Sequence, residues 1–423
     1  MSNFYLLFGL MMIFILCSLP VGISLGLSTL IVMLTRTAIP VSSIIQNSFT
    51  GLNSFTLLAI PFFILAGNLM SYGGISKRLV VFFDSILGGI TGGLGIVTTA
   101  ACMFFAAISG SGPATVSAIG GMMIPEMEKR GYDRSYAAGL SAVAGGIGVI
   151  IPPSIPFVVY AVAASASVGD MFLAGIIPGI LIGLALMAVG YVIARKHGWK
   201  GQPKEERVPV FKAFWDGLPA LISPVIILGG IYGGIFTPTE AAVVAVVYST
   251  VVGIFVYREL DAKTLYKALR DTAEMNGMIG LATGLSLAFG SFLAMQQIPS
   301  KIAAGLTSAI SSGWLMMLII LVILLFVGCF MDNISACLIL TPVFLPIMKS
   351  FGYSDIHFGV VMTIAFAIGF VTPPFGGNLF VASAISKLPM EKVARGSVPF
   401  LIAMGAVMLA CAFIPQLVIG ILG

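Results

Sequence analysis

Apolar residues run along this chain in continuous blocks of about 20, parted by short polar stretches, the length an α-helix needs to span a bilayer. The blocks fall at 4–36, 54–72, 85–107, 136–168, 171–194, 218–236, 240–257, 276–295, 302–328, 357–387 and 396–422. Strands of a membrane barrel would alternate apolar and polar positions, and these blocks do not. The expected fold is an all-α polytopic membrane protein. The first block is interrupted at Pro20-Val21-Gly22, giving one kinked or two short helices. Residues 40–53 are polar and semi-amphipathic, and Lys77-Arg78 punctuates the chain before the third block. Residues 259–275 have helical amphipathic spacing and are expected to lie along the membrane surface.

Two blocks are broken from within, by Pro152-Pro153 and by Pro373-Pro374. A proline pair removes two backbone donors and clashes with the preceding turn, so each helix must break there. In a bilayer, broken backbone is tolerated only where it is buried in protein or lines a cavity. Upstream of each break lies a polar turn, Ser109-Gly110-Ser111-Gly112-Pro113 in one half and Asp332-Asn333 in the other. Residues 108–128 and 329–349, which hold these turns, are expected to be re-entrant hairpins. The two sets share one spacing. Pro125 and Pro346 lie 221 residues apart, as do Pro152 and Pro373, Gly131 and Gly352, Tyr132 and Tyr353, and Gly148 and Gly369. Ser165 and Ser386, Gly175 and Gly396, and Pro178 and Pro399 continue the same register. Two structural repeats are expected, inverted relative to one another, with their broken helices meeting near mid-membrane.

Composition narrows the class. Of 423 residues, 59% are hydrophobic and 9% charged, against about 25% charged in a soluble domain. The net charge of +5 sits in loops, which fits the positive-inside bias and not nucleic-acid binding. Arg195, Lys196, Lys200, Lys204, Arg207 and Lys212 place the longest polar stretch, 195–212, in the cytoplasm as the link between halves. The first 19 residues lack a basic start and a cleavage site, and are expected to be a retained membrane segment. Cys17, Cys102, Cys329, Cys337 and Cys411 show no CxxC or Cys/His spacing, so neither zinc nor a disulfide framework is expected. Gly88 and Gly92, like Gly89 and Gly93, have the spacing of close helix packing, read here as packing within the chain.

The breaks are also where chemistry can sit. Freed carbonyls together with Ser, Thr, Asn and Asp oxygens suit Na⁺, and half-helix N-termini can face an anion. The ion-site residues are Ser109, Gly110, Ser111, Gly146 and Ile150 in the first half, and Asp332, Asn333, Gly369, Thr372 and Gly376 in the second. Thr115, Pro153, Ser154, Ser335, Pro374 and Asn378 are the substrate-facing candidates. Any single Ser or Gly here is explained as well by helix packing. The recurring combination of polar turn and Pro-Pro break is what favours a site. Asp332, a carboxylate in an apolar run, is a functional candidate by default. Glu240 either caps the helix it begins or serves a site. An enzyme is not expected. Gly110-Ser111-Gly112 would need a base within reach, and the two histidines, His197 and His357, lie in the charged loop and near a segment end. A passive channel has no need of two symmetric ion-binding breaks.

Five stretches carry a family resemblance: AISGSGPATVSAIG (107–120), GGIGVIIPPSIPFVVYA (145–161), GGIYGGIFTPTEAAVVAVVY (229–248), GCFMDNISACLILTPVFLPI (328–347) and GFVTPPFGGNLFVASAIS (369–386). At these residues the chain resembles the large membrane subunit of TRAP (tripartite ATP-independent periplasmic) transporters. The resemblance implies an elevator mechanism, Na⁺ coupling without an organic cofactor, and a multi-pass subunit in the bacterial inner membrane. It also implies a periplasmic solute-binding protein, a small membrane subunit of about four helices outside this chain, and an organic acid of the sialic acid or C4-dicarboxylate class as substrate. By the same resemblance, Ser109 and Ser111 match a first ion site, and Asp332 and Thr372 a second. The expected division is scaffold over 1–107, first hairpin and broken helix over 108–194, cytoplasmic linker over 195–217, scaffold and surface helix over 218–328, second hairpin and broken helix over 329–395, and a last helix over 396–423. The competing function is a stand-alone proton- or Na⁺-coupled anion carrier.

Overall fold

The structure is a computed structural model that describes residues 2–422 apart from 18, 38, 299, 303, 304, 306–309 and 375. Part of the 302–328 block therefore lies outside the described residues. Those described form helices and turns with no strand among them. Among them, seven helices are at least 18 residues long and apolar enough to cross a membrane, which makes this a multi-pass membrane protein.

Helices α1 (Ser2–Leu16) and α2 (Val21–Arg36) part at Pro20, so the first block is two short helices. Then follow α3 (Ser42–Leu52), α4 (Ala59–Tyr72) and α5 (Ile75–Leu87). The Lys77-Arg78 pair sits within α5, an amphipathic helix that the charge pattern had marked only as punctuation. Helix α6 (Gly93–Ser109) enters the first polar turn. The chain returns through α7 (Gly112–Thr115), a π-helical turn at Val116–Gly120, and α8 (Gly121–Lys129). The broken helix is α9 (Arg134–Gly146) and α10 (Ile155–Ala164), and α11 (Val168–His197) completes the first half.

The second half holds α12 (Val210–Tyr232), α13 (Pro238–Val251), α14 (Ala262–Met295), α15 (Gly313–Gly328) and α16 (Asn333–Ser350). It ends with α17 (Asp355–Gly369), α18 (Gly377–Ser386), α19 (Met390–Phe413) and α20 (Gln416–Ile419). Two expectations shift. No breaker interrupts α6 before Gly110, so the helix expected to end at 107 runs unbroken from Gly93 to Ser109 and leads straight into the first polar turn. Residues 259–275 and 276–295, expected as a surface helix and a span, form the single 34-residue α14, capped by a reciprocal Asp261–Thr264 pair.

Local geometry recurs at the 221-residue spacing. Gly131 and Gly352 both adopt left-handed backbone, at φ 79° and 85°. After each, a tyrosine amide bonds back to a methionine carbonyl: Tyr132 to Met127 at 3.0 Å and Tyr353 to Met348 at 3.1 Å. This is the six-to-one closure of a glycine-terminated helix. The next helices start alike, with Asp133 accepting from the Tyr136 amide at 2.8 Å and Ser354 from the His357 amide at 3.0 Å. Both Pro-Pro bonds are cis.

Small residues bring the halves together. Gly139 of α9 faces the Gly396 backbone of α19, and Gly396 faces the Ser135 carbonyl, with no room at either for a Cβ. Of the glycines at 88–93, Gly92 brings the start of α6 against α11, where a Cβ would lie 2.6 Å from the Ala194 Cβ. Together these glycines form the α5–α6 turn, where the linker docks through Gln202 N–H to the Gly88 carbonyl (2.8 Å) and Gly92 N–H to the Trp199 carbonyl (3.1 Å). Trp199 stacks on Tyr132 at 4.6 Å, and Arg130 pairs with Glu206. Cys102, Cys337 and Cys411 are buried, Cys17 is exposed, and none of the five is in a disulfide.

Candidate functional site

One cavity of about 560 Å³ gathers both polar turns. Gly110, Ser111, Gly112 and Pro113 line it from the first, and Asp332, Asn333, Ile334 and Ser335 from the second. Val149, Ile155, Pro156 and Phe370 add the broken helices. The facing wall is Pro20 and the first turn of α2 (Val21, Gly22 and Ile23), with Met275, Met278, Ile279, Leu281 and Ala282 of α14. Met275 and Met278 lie where α14 leaves its charged first half, which carries Lys263, Lys267, Arg270, Asp271 and Glu274. The Pro20-Val21-Gly22 interruption was legible as a break; the methionines of α14 carried no signal apart from their hydrophobicity. Gly22 lets α2 cross α14 closely, since a Cβ there would lie 2.7 Å from the Ala282 Cα.

The first turn is held by its own oxygens. Gly110, at φ 61°, ends α6, and its carbonyl accepts from the Ile155 amide at 3.2 Å, tying the turn to α10. The Ser111 carbonyl accepts from both the Thr115 amide (3.1 Å) and the Thr115 hydroxyl (2.8 Å). The Ser109 hydroxyl lies 3.0 Å from that of Thr115. Ser109 and Thr115 are buried behind the turn, whereas Ser111 faces the cavity.

The second turn carries the charge. Asp332 caps α16 through Oδ2, which accepts from the amides of Ile334 (3.1 Å) and Ser335 (3.0 Å). It is exposed to the cavity, so the carboxylate read from the sequence as set in an apolar run is not enclosed by apolar side chains. Beside it, Asn333 Oδ1 and Ser335 Oγ are buried without a hydrogen-bond partner, and so is Asn378 Oδ1 nearby. Asn378 bridges the halves. Its Nδ2 donates to the Ala142 carbonyl of α9 at 3.1 Å, and a Cβ on Gly112 would come within 2.9 Å of its Oδ1. Gly146 lies on the same face of α9, 3.8 Å from Asn378 Nδ2 by the same construction. Unpaired buried oxygens each cost about 1–3 kcal/mol, and a hard cation that takes oxygen ligands relieves that cost.

The remaining sequence candidates sit apart from the cavity. Ser154 is buried and its hydroxyl is engaged, donating to the Val149 carbonyl at 2.6 Å and accepting from the Phe157 amide at 3.3 Å, so it caps α10 and does not line the cavity. The Pro153 carbonyl is turned toward Gly110 and the Ile150 carbonyl toward Gly175, each within 2.6 Å of a constructed Cβ. Thr372 is half-buried and donates to its own helix at the Ile368 carbonyl, 2.8 Å away. Gly369 allows backbone contact with Gly328, Gly376 turns the chain into α18 at φ 30°, and Pro374 is exposed. Glu240 belongs to a capping box with Thr237 and not to this site. No group of three His, Cys, Asp or Glu capable of holding a metal exists among the described residues, so the donor set is neutral oxygens with one carboxylate.

Comparison with known proteins agrees with this architecture. The family described as "Tripartite ATP-independent periplasmic transporter, DctM component" matches residues 8–417. The chain is 44% identical over 412 residues to the isethionate TRAP transporter permease protein DctMQ of Oleidesulfovibrio alaskensis, covering 97% of this chain and 65% of that protein. It is 41% identical to the C4-dicarboxylate TRAP transporter large permease protein DctM of Pseudomonas aeruginosa, covering 93% and 92%. With the sialic acid TRAP transporter large permease protein SiaM of Vibrio cholerae it shares 36% identity, covering 94% and 93%. These relatives are named as permeases and not as enzymes. The fold is similar to that of the Alcanivorax borkumensis YdaH transporter, at a TM-score of 0.64 and 12% identity over 88% of this chain and 86% of that one. A polytopic helical chain with two helix breaks meeting in one cavity, matched over nearly its whole length, belongs to the DctM family of large permease subunits of TRAP transporters.

Proposed function

We propose that this chain imports a small organic acid, coupled to Na⁺, as the large permease subunit of a tripartite system in the bacterial inner membrane. The observation that carries the reading is the cavity shared by both helix breaks, where Asp332 is exposed and the adjoining Asn333 and Ser335 hold buried, unpartnered oxygens, with that of Asn378 beside Gly112. These hard donors suit Na⁺, which travels with the substrate as cargo. The substrate is an organic anion of the sialic acid, C4-dicarboxylate or isethionate kind named for the relatives. Amides at the start of α7, which no side chain caps, favour negative charge at the same cavity, whereas those of α16 are taken by Asp332.

The recurrence at 221 residues supports two inverted repeats, and the position of the cavity supports an elevator. The polar turns and broken helices form one wall and α2 with α14 the other, so a sliding transport unit would carry the site past a fixed wall of apolar side chains. The partners are a periplasmic solute-binding protein and a small membrane subunit. The relative named DctMQ is longer than this chain, which spans 65% of it, and the extra length accommodates such a subunit in one polypeptide.

Uptake in proteoliposomes containing both membrane subunits and the binding protein tests the proposal. It is expected to require an inward Na⁺ gradient. Equal uptake with K⁺ in place of Na⁺ under a pH gradient would favour proton coupling. Full-rate transport by this subunit alone would overturn the tripartite assignment.

A further inference from the structure

A second cavity, of about 450 Å³, opens between the start of α12, helix α5 and the end of the helix begun by α13. It is lined by Lys77, Arg78, Trp215, Asp216, Val256 and Tyr257 among others, and shares no residue with the first. We infer that it holds the headgroup of a zwitterionic aminophospholipid, with the phosphate at Lys77 and the ammonium at Asp216.

The charges carry the inference. Arg78 is already engaged: Nη1 donates to Glu259 Oε1 at 2.7 Å and to the Gly74 carbonyl at 2.9 Å, and the guanidinium lies 3.7 Å from the Tyr257 ring centre. Lys77 and Asp216 are different. Both are exposed, and neither forms an ion pair with any described residue or with the other. The cavity thus presents one open cation and one open anion held apart. A dipolar headgroup answers both at once, and the polar edge of Arg78 adds to the phosphate side.

The setting fixes the source as the bilayer. Helix α12 emerges from the charged linker, and Phe211, Phe214 and Trp215 stand exposed at its first turns. Exposed aromatic rings bordering a charged segment mark the headgroup level of a membrane. Val256 is exposed beside them and continues the wall toward apolar depth, where acyl chains would lie. A glycerol headgroup offers Asp216 only neutral hydroxyls and no positive charge to pair with it. A choline headgroup offers no N–H for that carboxylate to accept.

Native mass spectrometry of the full chain, extracted from nanodiscs of equal parts phosphatidylethanolamine and phosphatidylglycerol, tests this. The wild type should retain the ethanolamine lipid roughly two- to fivefold over the glycerol lipid, the ratio an exposed ion pair supplies. Asp216→Asn should bring the ratio to about one at an unchanged melting temperature, and Lys77→Gln should lower retention of both lipids. Lys212→Gln, one helical turn before Asp216 and off the cavity, should change neither. Equal retention of the two lipids by the wild type, or an undiminished preference in Asp216→Asn, would overturn the assignment. So would a melting shift with soluble O-phosphoethanolamine in lipid-free detergent accompanied by no retained lipid, since the ligand would then be a soluble phosphate ester.

Discussion

Ser111 and Asp332 occupy equivalent places 221 residues apart: each directly precedes a return helix, and both line the same cavity. Their chemistry differs. The Ser111 side chain caps nothing, while Asp332 Oδ2 takes two amides of its helix and the other carboxylate oxygen makes no hydrogen bond to a described residue. One equivalent position thus supplies a neutral oxygen and the other a full charge.

Asp332→Asn separates the charge from the cap, because asparagine caps a helix as well as aspartate does. The variant is expected to fold and insert normally, and to raise the Na⁺ concentration for half-maximal uptake about tenfold, equivalent to ~1.4 kcal/mol. Ser111→Ala should raise it less, by about two- to threefold, through loss of one neutral oxygen. An Asp332→Asn protein with unaltered Na⁺ dependence at normal expression would sink the ion-ligand role and leave only the cap.

Ser154→Ala makes the opposite prediction. The hydroxyl satisfies the Val149 carbonyl and the Phe157 amide in a fully buried place. Its loss should lower stability by about 1–2 kcal/mol, seen as a lower melting temperature in detergent, with the Na⁺ and substrate concentrations for half-maximal uptake unmoved. A selective rise in the substrate concentration needed would restore Ser154 to the binding site.

Asp84 should make stability depend on pH. Burial pushes its carboxyl up from the ordinary value, Arg207 and Arg130 pull it down, and Glu126 adds to the rise. Its Oδ1 has no hydrogen-bond partner. A carboxyl raised on folding contributes stability at low pH that is lost as pH climbs through its folded-state value. Asp84→Asn should therefore melt higher than the wild type at neutral pH, and the gap should widen from about pH 4 to about pH 7. A gap that narrows over this range would show that the Arg207 attraction dominates.

Gly396→Ala tests the α9–α19 crossing. A Cβ there collides with the Ser135 carbonyl, a backbone atom that cannot swing aside. A cost of about 1–3 kcal/mol or more is expected, read as reduced yield of monodisperse protein. Gly405→Ala, in the same helix with open space around it, should be neutral or stabilising. Equal behaviour of the two variants would mean that the crossing tolerates separation.

Much of this arrangement is legible in one dimension because membrane helices obey strong local rules. Apolar length marks spans: α11 falls within three residues of its block at either end, while α12 and α19 start eight and six residues before theirs. Proline pairs and Ser-Gly turns mark breaks, and the glycine-closed turns at Gly131 and Gly352 keep the spacing visible in the letters. Two local features escaped. Helix α5 was hidden because its short amphipathic pattern includes Lys77 and Arg78, which read as a boundary. The continuity of α6 into the first polar turn was hidden because it is an unbroken apolar helix up to Ser109, like any span.

The sequence by itself determined where the chain breaks and which oxygens lie near each break, since proline and glycine act on their own backbone. Tertiary structure alone decided which of those oxygens face a common space. Ser111 and Asp332 face the cavity, Asn333 and Ser335 line it with their side-chain oxygens buried, Ser154 and Thr372 are spent on nearby backbone carbonyls, and Asn378 is turned across the halves toward Ala142. It also supplied the facing wall from residues 20–23 and α14, hundreds of residues from the breaks in one case and drawn there by close packing at Gly22 and Ala282. The physical reason is that a side chain's rotamer and partner depend on which helix crosses it, and crossings are set by packing between distant segments, which no local pattern records.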